Sequence, residues 1–204
     1  MLSTRNGISL SDEHGRSACE IGVQWSRAAT EGTLAEAVGT YETILGKRPA
    51  SFAAPGWMIN AHALAYFEAN GFSYTSDTRG SSPFYPRMAG RTFSVLQLPS
   101  TMPTLDEMVG LEGKDQSRLA RFFADSLEEG LNIMSVHTEL EGNHWTDFLA
   151  SFIDQGLERG YGFERLIDIA HNVKTQEKPP VCDCLYGAVR GRAGEVTLQG
   201  PPVM

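Results

Sequence analysis

The chain has 204 residues, 41% hydrophobic and 21% charged, enough for one globular domain with its own core and too short for two full ones. Its 17 Lys and Arg against 25 Asp and Glu give a formal charge of -8, so the overall field disfavours nucleic acid or any polyanion as main partner. No window approaches the roughly 20 apolar residues of a membrane span, and residues 1–18 are polar without an apolar leader core, so a soluble, cytoplasmic chain with an irregular start is expected.

In chain order, Cys19 to Trp25 reads as a short strand, and Thr33 as the cap of a helix burying Leu34, Val38, Tyr41 and Leu45 and ending at Gly46. Ser51 to Trp57 predicts a small strand entering a Pro-Gly turn, and Asn60 to Asn70 a helix stopped by Gly71. Phe72 to Ser76 is strand-like and delivers Asp77, Thr78, Arg79 and Gly80 into a long loop broken by Pro83, Pro86 and Gly90. Within that loop Arg87 and Arg91 read as solvated charge, with a phosphate patch shared with Arg79 as the alternative. Val95 to Leu98 is another short strand, and Thr104 to Gly113 a turn-rich connection. A helix follows over about Lys114 to Glu129, burying Leu119, Phe122, Phe123 and Leu127.

Leu131 to Val136 is a short apolar run bounded by Gly130 and reads as a buried strand with His137 at its carboxyl end. Trp145, Phe148, Leu149 and Phe152 mark a helix, Gly160 to Phe163 a short strand and Arg165 to His171 a last helix. Residues 174–204 read as a tail with one edge strand near Val196 to Leu198. Cys19, Cys182 and Cys184 are odd in number, and Cys-Asp-Cys is one residue short of a metal or redox spacing, so they are read as reduced. The alternation predicts an α/β fold with a largely parallel sheet or an open barrel.

In parallel α/β sheets the ligand crevice lies beyond the carboxyl ends of the strands. Three loops would converge there, placing Asp77, Arg79, His137 and Glu139 around a small polar substrate. A carboxylate orienting an imidazole, with a guanidinium to hold an anionic group, is an acid-base arrangement. An Asp-Arg ion pair that only locks a loop, and a histidine that only bonds a neighbouring loop, remain equally open readings.

Several stretches carry a resemblance: Ala53 to Trp57, Tyr74 to Gly80 with Pro83, Phe84 and Pro86, Gln97 to Glu107, Val136 to Gly142, and Gly187 to Glu195. In these the chain, from about Thr33 to Gly200, resembles the polysaccharide deacetylase (NodB-homology) family, in particular its members that deformylate an undecaprenyl-phosphate-linked aminoarabinose. The resemblance implies an incomplete, distorted (β/α) barrel over residues 19–173 and hydrolysis of an N-acyl group from a lipid-linked amino sugar. It further implies a divalent metal such as zinc as cofactor, and contact with the inner face of the membrane through the lipid carrier. By carry-over of motifs His137 is the general acid, Asp77 and Arg79 support the site, and Trp57, Glu139 and Glu141 bind substrate.

The chain also departs from the family. The opening strand with its aspartate pair has no counterpart, and Cys19, Gln24 and Arg27 stand where the histidine motif would place ligands. Glutamine is a poor transition-metal ligand and arginine cannot be one, so no residue is assigned to the metal. Met58 replaces the arginine expected after Gly-Trp. The competing expectations are an enzyme with a shifted ion held by Glu20, His137, Glu139 or His144, an inactive homologue, and a module that binds the lipid-linked sugar without turnover. Missing opening strands would leave sheet edge exposed and favour oligomerisation.

Overall fold

Why does the first helix begin earlier than its apolar face suggests? In a computed structural model, which describes residues 22–176 and 178–203, the Ser26 hydroxyl accepts from the Ala29 backbone and starts helix α1 at Arg27–Leu45. Thr33 therefore lies inside the helix, and Gly46 closes it in the left-handed conformation. Leu34, Val38 and Tyr41 are buried as expected, whereas Leu45 faces solvent. Cys19 and Glu20 lie outside the described residues, and Gly22 to Trp25 form a turn instead of a strand.

The chain continues through strand β1 (Ser51–Phe52), a 3-10 turn at Pro55–Trp57, helix α2 (Ala61–Ala69) and strand β2 (Tyr74–Thr75). Next come β3 (Tyr85–Met88), β4 (Arg91–Thr92) and β5 (Leu96–Gln97), then helices α3 (Leu105–Glu112) and α4 (Gln116–Asp125). A π-helical turn at Leu140–His144 leads into α5 (Thr146–Glu158), α6 (Leu166–Gln176), β6 (Val181–Gly187) and β7 (Val196–Pro202). Strands β1, β2 and β5 form a parallel sheet in that order, with Tyr74 between Ser51 and Leu96. A second sheet runs β4-β3-β6-β7, and the two sheets do not close among the described residues. The architecture is an α/β, incomplete, distorted barrel, and no described helix is long and apolar enough to cross a membrane.

Four local expectations are corrected. The long loop after Asp77 holds β3 and β4, because β6 supplies a parallel partner and the Pro86 carbonyl accepts from Phe93. Its arginines are paired: Arg87 with Asp183 at 2.6 Å and 2.8 Å, and Arg91 with Glu68. The connection at 104–113 is helix α3, at whose start the Glu107 carboxylate accepts from the Thr104 backbone N–H at 3.0 Å. Leu131 to Val136 is buried and extended at Ile133 and Met134 but pairs as no strand; the Ile133 N–H goes to the Thr101 hydroxyl and its carbonyl takes the Thr101 and Met102 amides. Gly160 to Phe163 is a loop.

The residues read as a tail carry β6 and β7, in which Val196 and Thr197 are fully buried. Cys182 and Cys184 lie in β6 as free thiols, and burial pushes the Cys184 thiol up to about 12, which keeps it unreactive. Three clusters make up the core: α1 and α2 against Phe93 and Val95, the α3-α4-α5 layer around Phe123 and Phe148, and α6 against Leu96, Leu98 and Ile133.

Candidate functional site

Asp77 lies two residues beyond the end of β2 and is fully buried. One carboxylate oxygen accepts from the Ala54 amide at 2.8 Å and the other from Gln97 Nε2 at 3.2 Å, while the Asp77 amide donates to Gln97 Oε1. Asp77 thus ties the ends of β1, β2 and β5 together. Burial dominates over these bonds and raises its carboxyl to about 6.

Arg79 turns away from Asp77 and toward helix α3. Its Nη1 bonds both Glu107 oxygens, at 2.8 Å and 3.0 Å, its Nη2 donates to the Met102 carbonyl, and the guanidinium lies 4.7 Å from the Trp57 ring centroid. The expected Asp77-Arg79 pair is replaced by Arg79-Glu107, since the backbone amide and Gln97 already satisfy Asp77. Glu107 is almost fully buried and is held as well by the Thr104 amide. Trp57 is itself buried with a φ of 54°, a left-handed conformation uncommon outside glycine, and its indole N–H donates to Ser100 Oγ. Ser100 Oγ lies 3.2 Å from Ser135 Oγ, which joins this array to the segment ending at His137.

His137 keeps a third of its side chain exposed, with its amide bonded to Glu141 Oε2 at 2.8 Å. Its Nδ1 lies 3.9 Å from the same carboxylate and 4.0 Å from Asp106 Oδ1, within electrostatic reach but too far for a hydrogen bond. That nitrogen and Glu141 Oε1 are both buried without a hydrogen-bond partner. Burial raises the Glu141 carboxyl, opposed by its bond from the His137 amide. Asp106 and Glu107 are consecutive residues of the first turn of α3, so one turn faces His137 with one carboxylate and Arg79 with the other.

The first turn of α3 thus links His137 to Arg79, with Glu141 and Trp57 buried beside them and Asp77 at the strand ends. Glu139 faces solvent and His144 is exposed on the π-helical turn. The sequence reading missed Asp106, Glu107, Ser100 and Ser135; the Thr-x-x-Glu spacing at Thr104 to Glu107 was the available signal for the two carboxylates. The donor set does not fit the divalent ion the family resemblance implies: Gln24 is exposed, Arg27 is exposed and paired with Glu31 at 2.7 Å, and no group of three or more His, Cys, Asp or Glu among the described residues could hold a metal.

No family model matches the chain. It is 30% identical over 151 residues, 72% of its length, to the "Probable 4-deoxy-4-formamido-L-arabinose-phosphoundecaprenol deformylase ArnD" of Wigglesworthia glossinidia brevipalpis, covering 52% of that protein. It is 32% identical over 158 residues to the protein of the same description in Shewanella sediminis (strain HAW-EB3), with 77% of this chain and 50% of the relative covered. The chain thus spans about half the length of the curated relatives it matches. Among solved structures, an allantoinase superposes with a TM-score of 0.62 at 21% identity over 81% of this chain and 59% of its own. The "probable Polysaccharide deacetylase" of Pseudomonas aeruginosa PAO1 superposes with a TM-score of 0.59 at 21% identity over 83% and 61%. The matched motifs, the curated relatives and the shared fold agree that the chain belongs to the polysaccharide deacetylase family of NodB homology.

Proposed function

We propose that the chain carries the leaving-group side of a carbohydrate N-deacylase, acting on an acylated amino sugar borne on a lipid phosphate at the cytoplasmic face of the membrane. The observation supporting this is the rim histidine: His137 presents an imidazole whose Nδ1 edge faces two carboxylates, so Nε2 is the nitrogen free to serve a substrate. In the hydrolysis the amide C–N bond breaks, water adds hydroxyl to the acyl carbon, and the departing amine nitrogen takes a proton, which His137 Nε2 supplies. Asp106 and Glu141 lie on the Nδ1 side of the ring, which leaves Nε2 for this transfer. Trp57 is buried, and its part is to hold the Arg79 guanidinium in place. The described residues offer no divalent-ion site, so the proposal is confined to leaving-group protonation and substrate positioning.

A second reading, binding of the lipid-linked sugar without turnover, is favoured by that same missing donor set. One experiment separates the two: the full chain, with and without added zinc, is mixed with an N-formyl aminoarabinose phospholipid, and both formate release and binding are followed. Deacylation predicts release that falls about 100-fold or more in His137→Ala, in the range of a lost general acid. Binding with no release under either condition establishes the second reading, and no binding refutes both.

A further inference from the structure

Arg192 has no part in the site described above, yet its guanidinium is held beside it. Its carbon lies 5.0 Å from the Trp57 ring centroid, on the same indole that Arg79 contacts, and its Nη1 is 4.0 Å from Glu107 Oε1, an ion-pair distance without a hydrogen bond. Glu107 is already committed, both oxygens to Arg79 and one also to the Thr104 amide. Two guanidinium groups therefore share one carboxylate, and the donors of Arg192 have no hydrogen-bond partner among the described residues.

The backbone is shaped to keep it there. Gly191 has a φ of 85°, and a Cβ at that position would sit 2.1 Å from the Glu107 carbonyl oxygen, so only glycine lets this loop lie on α3. A Cβ on Gly56 would sit 3.1 Å from Arg192 Nη2, so a second glycine leaves space for the guanidinium. Arg190 anchors the same loop to Glu112 at 2.8 Å. Arg192 lines an open cavity of about 440 Å³ with Trp25, Pro55, Gly56, Met58 and Glu195, within the size range of small-ligand sites.

A partly exposed guanidinium, stacked on an aromatic ring and with its fork of donors unused, matches a pair of phosphate oxygens. We propose that Arg192 is a positioning residue that binds a phosphodiester oxygen of a glycosyl phosphate whose sugar occupies the neighbouring cavity. The identity of the anion as the substrate's own phosphate rests on the function proposed above. Presence of the anion-binding guanidinium does not depend on it.

The test uses the full chain and calorimetric titration with three probes: the methyl phosphodiester of an N-formyl amino sugar, the uncharged methyl glycoside of the same sugar, and inorganic phosphate. Arg192→Gln is expected to weaken the phosphodiester sugar about 10-fold or more, the effect of one charge-assisted hydrogen bond, and to leave the uncharged glycoside unchanged. Arg192→Lys recovers part of the loss, because charge is restored without the fork. Loss of inorganic phosphate binding alone assigns the site to a free phosphate and refutes the glycosyl part of the proposal. Equal losses for charged and uncharged sugars, or no loss for any probe, overturn it altogether. Circular dichroism on each variant separates unfolding from lost recognition, and Gly56→Ala, which crowds the guanidinium without removing charge, provides a second variant expected to weaken the same probe. Formate release is read separately from these titrations, so failure of the deacylase reading and failure of this one are distinguishable.

Discussion

Removing the Glu107 carboxylate is the sharpest test of how the rim is held. Glu107 takes two bonds from Arg79 and one from the Thr104 amide while almost wholly buried, and the Arg79 side chain is only 11% exposed. Glu107→Ala leaves a buried guanidinium without its counter-charge, which costs about 3 to 5 kcal/mol. It also removes the acceptor of the buried Thr104 amide at the start of α3, about 1 kcal/mol more. A loss of about 4 to 6 kcal/mol is expected in urea unfolding followed by tryptophan fluorescence, with a fall in Tm of roughly 10 to 20 °C for a chain of this size. Glu107→Gln keeps an acceptor and the volume but not the charge, and is expected to lose about 2 kcal/mol. The decisive variant is the double change Glu107→Ala with Arg79→Met. If the stranded charge causes most of the loss, deleting it as well restores at least 1 to 2 kcal/mol relative to the sum of the single changes. A double variant as unstable as that sum, or a single-variant loss under about 1 kcal/mol, refutes the reasoning.

Asp77 makes a prediction about pH. Its carboxyl is raised from 3.8 to about 6 in the folded state, so below about pH 4 both states hold the proton, and as pH rises toward 6 only the unfolded state releases it. Stability is therefore lost across that window, by about 3 kcal/mol for a shift of two units, and is flat above it; the wild-type urea midpoint should fall between pH 4 and 7 while that of Asp77→Asn, with no carboxyl titrating at this position, falls by less, and parallel profiles would contradict the assignment. Gly191→Ala is expected to lose well over 2 kcal/mol, because the new Cβ meets the Glu107 carbonyl, whereas Gly113→Ala, with φ of 96° but open space around it, pays only the backbone strain of about 1 kcal/mol. Thermal melts giving equal shifts for the two glycines would show that the loop moves freely off α3.

Much of the α-helical content was legible because local signals coincide with tertiary need. Gly46 and Gly71 stop α1 and α2 where the sequence places the breaks, and Leu119 and Phe123 bury the face that their spacing predicts. The sheet was less legible. Strands of two residues such as β1, β2 and β5 are too short to show a period, and β3 carries in its interior Pro86, which cannot donate to a ladder and joins it only through its carbonyl, accepting from Phe93. Leu131 to Val136 has the composition of a strand, yet the Thr101 hydroxyl and backbone take its central bonds in place of a ladder.

From the amino-acid order alone came the family motifs, the prominence of His137, Arg79 and Trp57, and the mismatch of Gln24 and Arg27 with a metal clamp, all properties of side-chain chemistry that do not depend on where the backbone runs. The tertiary structure decided the partnerships. Arg79 pairs with Glu107, 28 residues away, and not with Asp77 two residues away, and Arg192 arrives at the same tryptophan from the last hairpin. Which charge meets which is settled by burial: a carboxylate with backbone donors at the strand ends needs no arginine, and a carboxylate sealed under α3 cannot do without one.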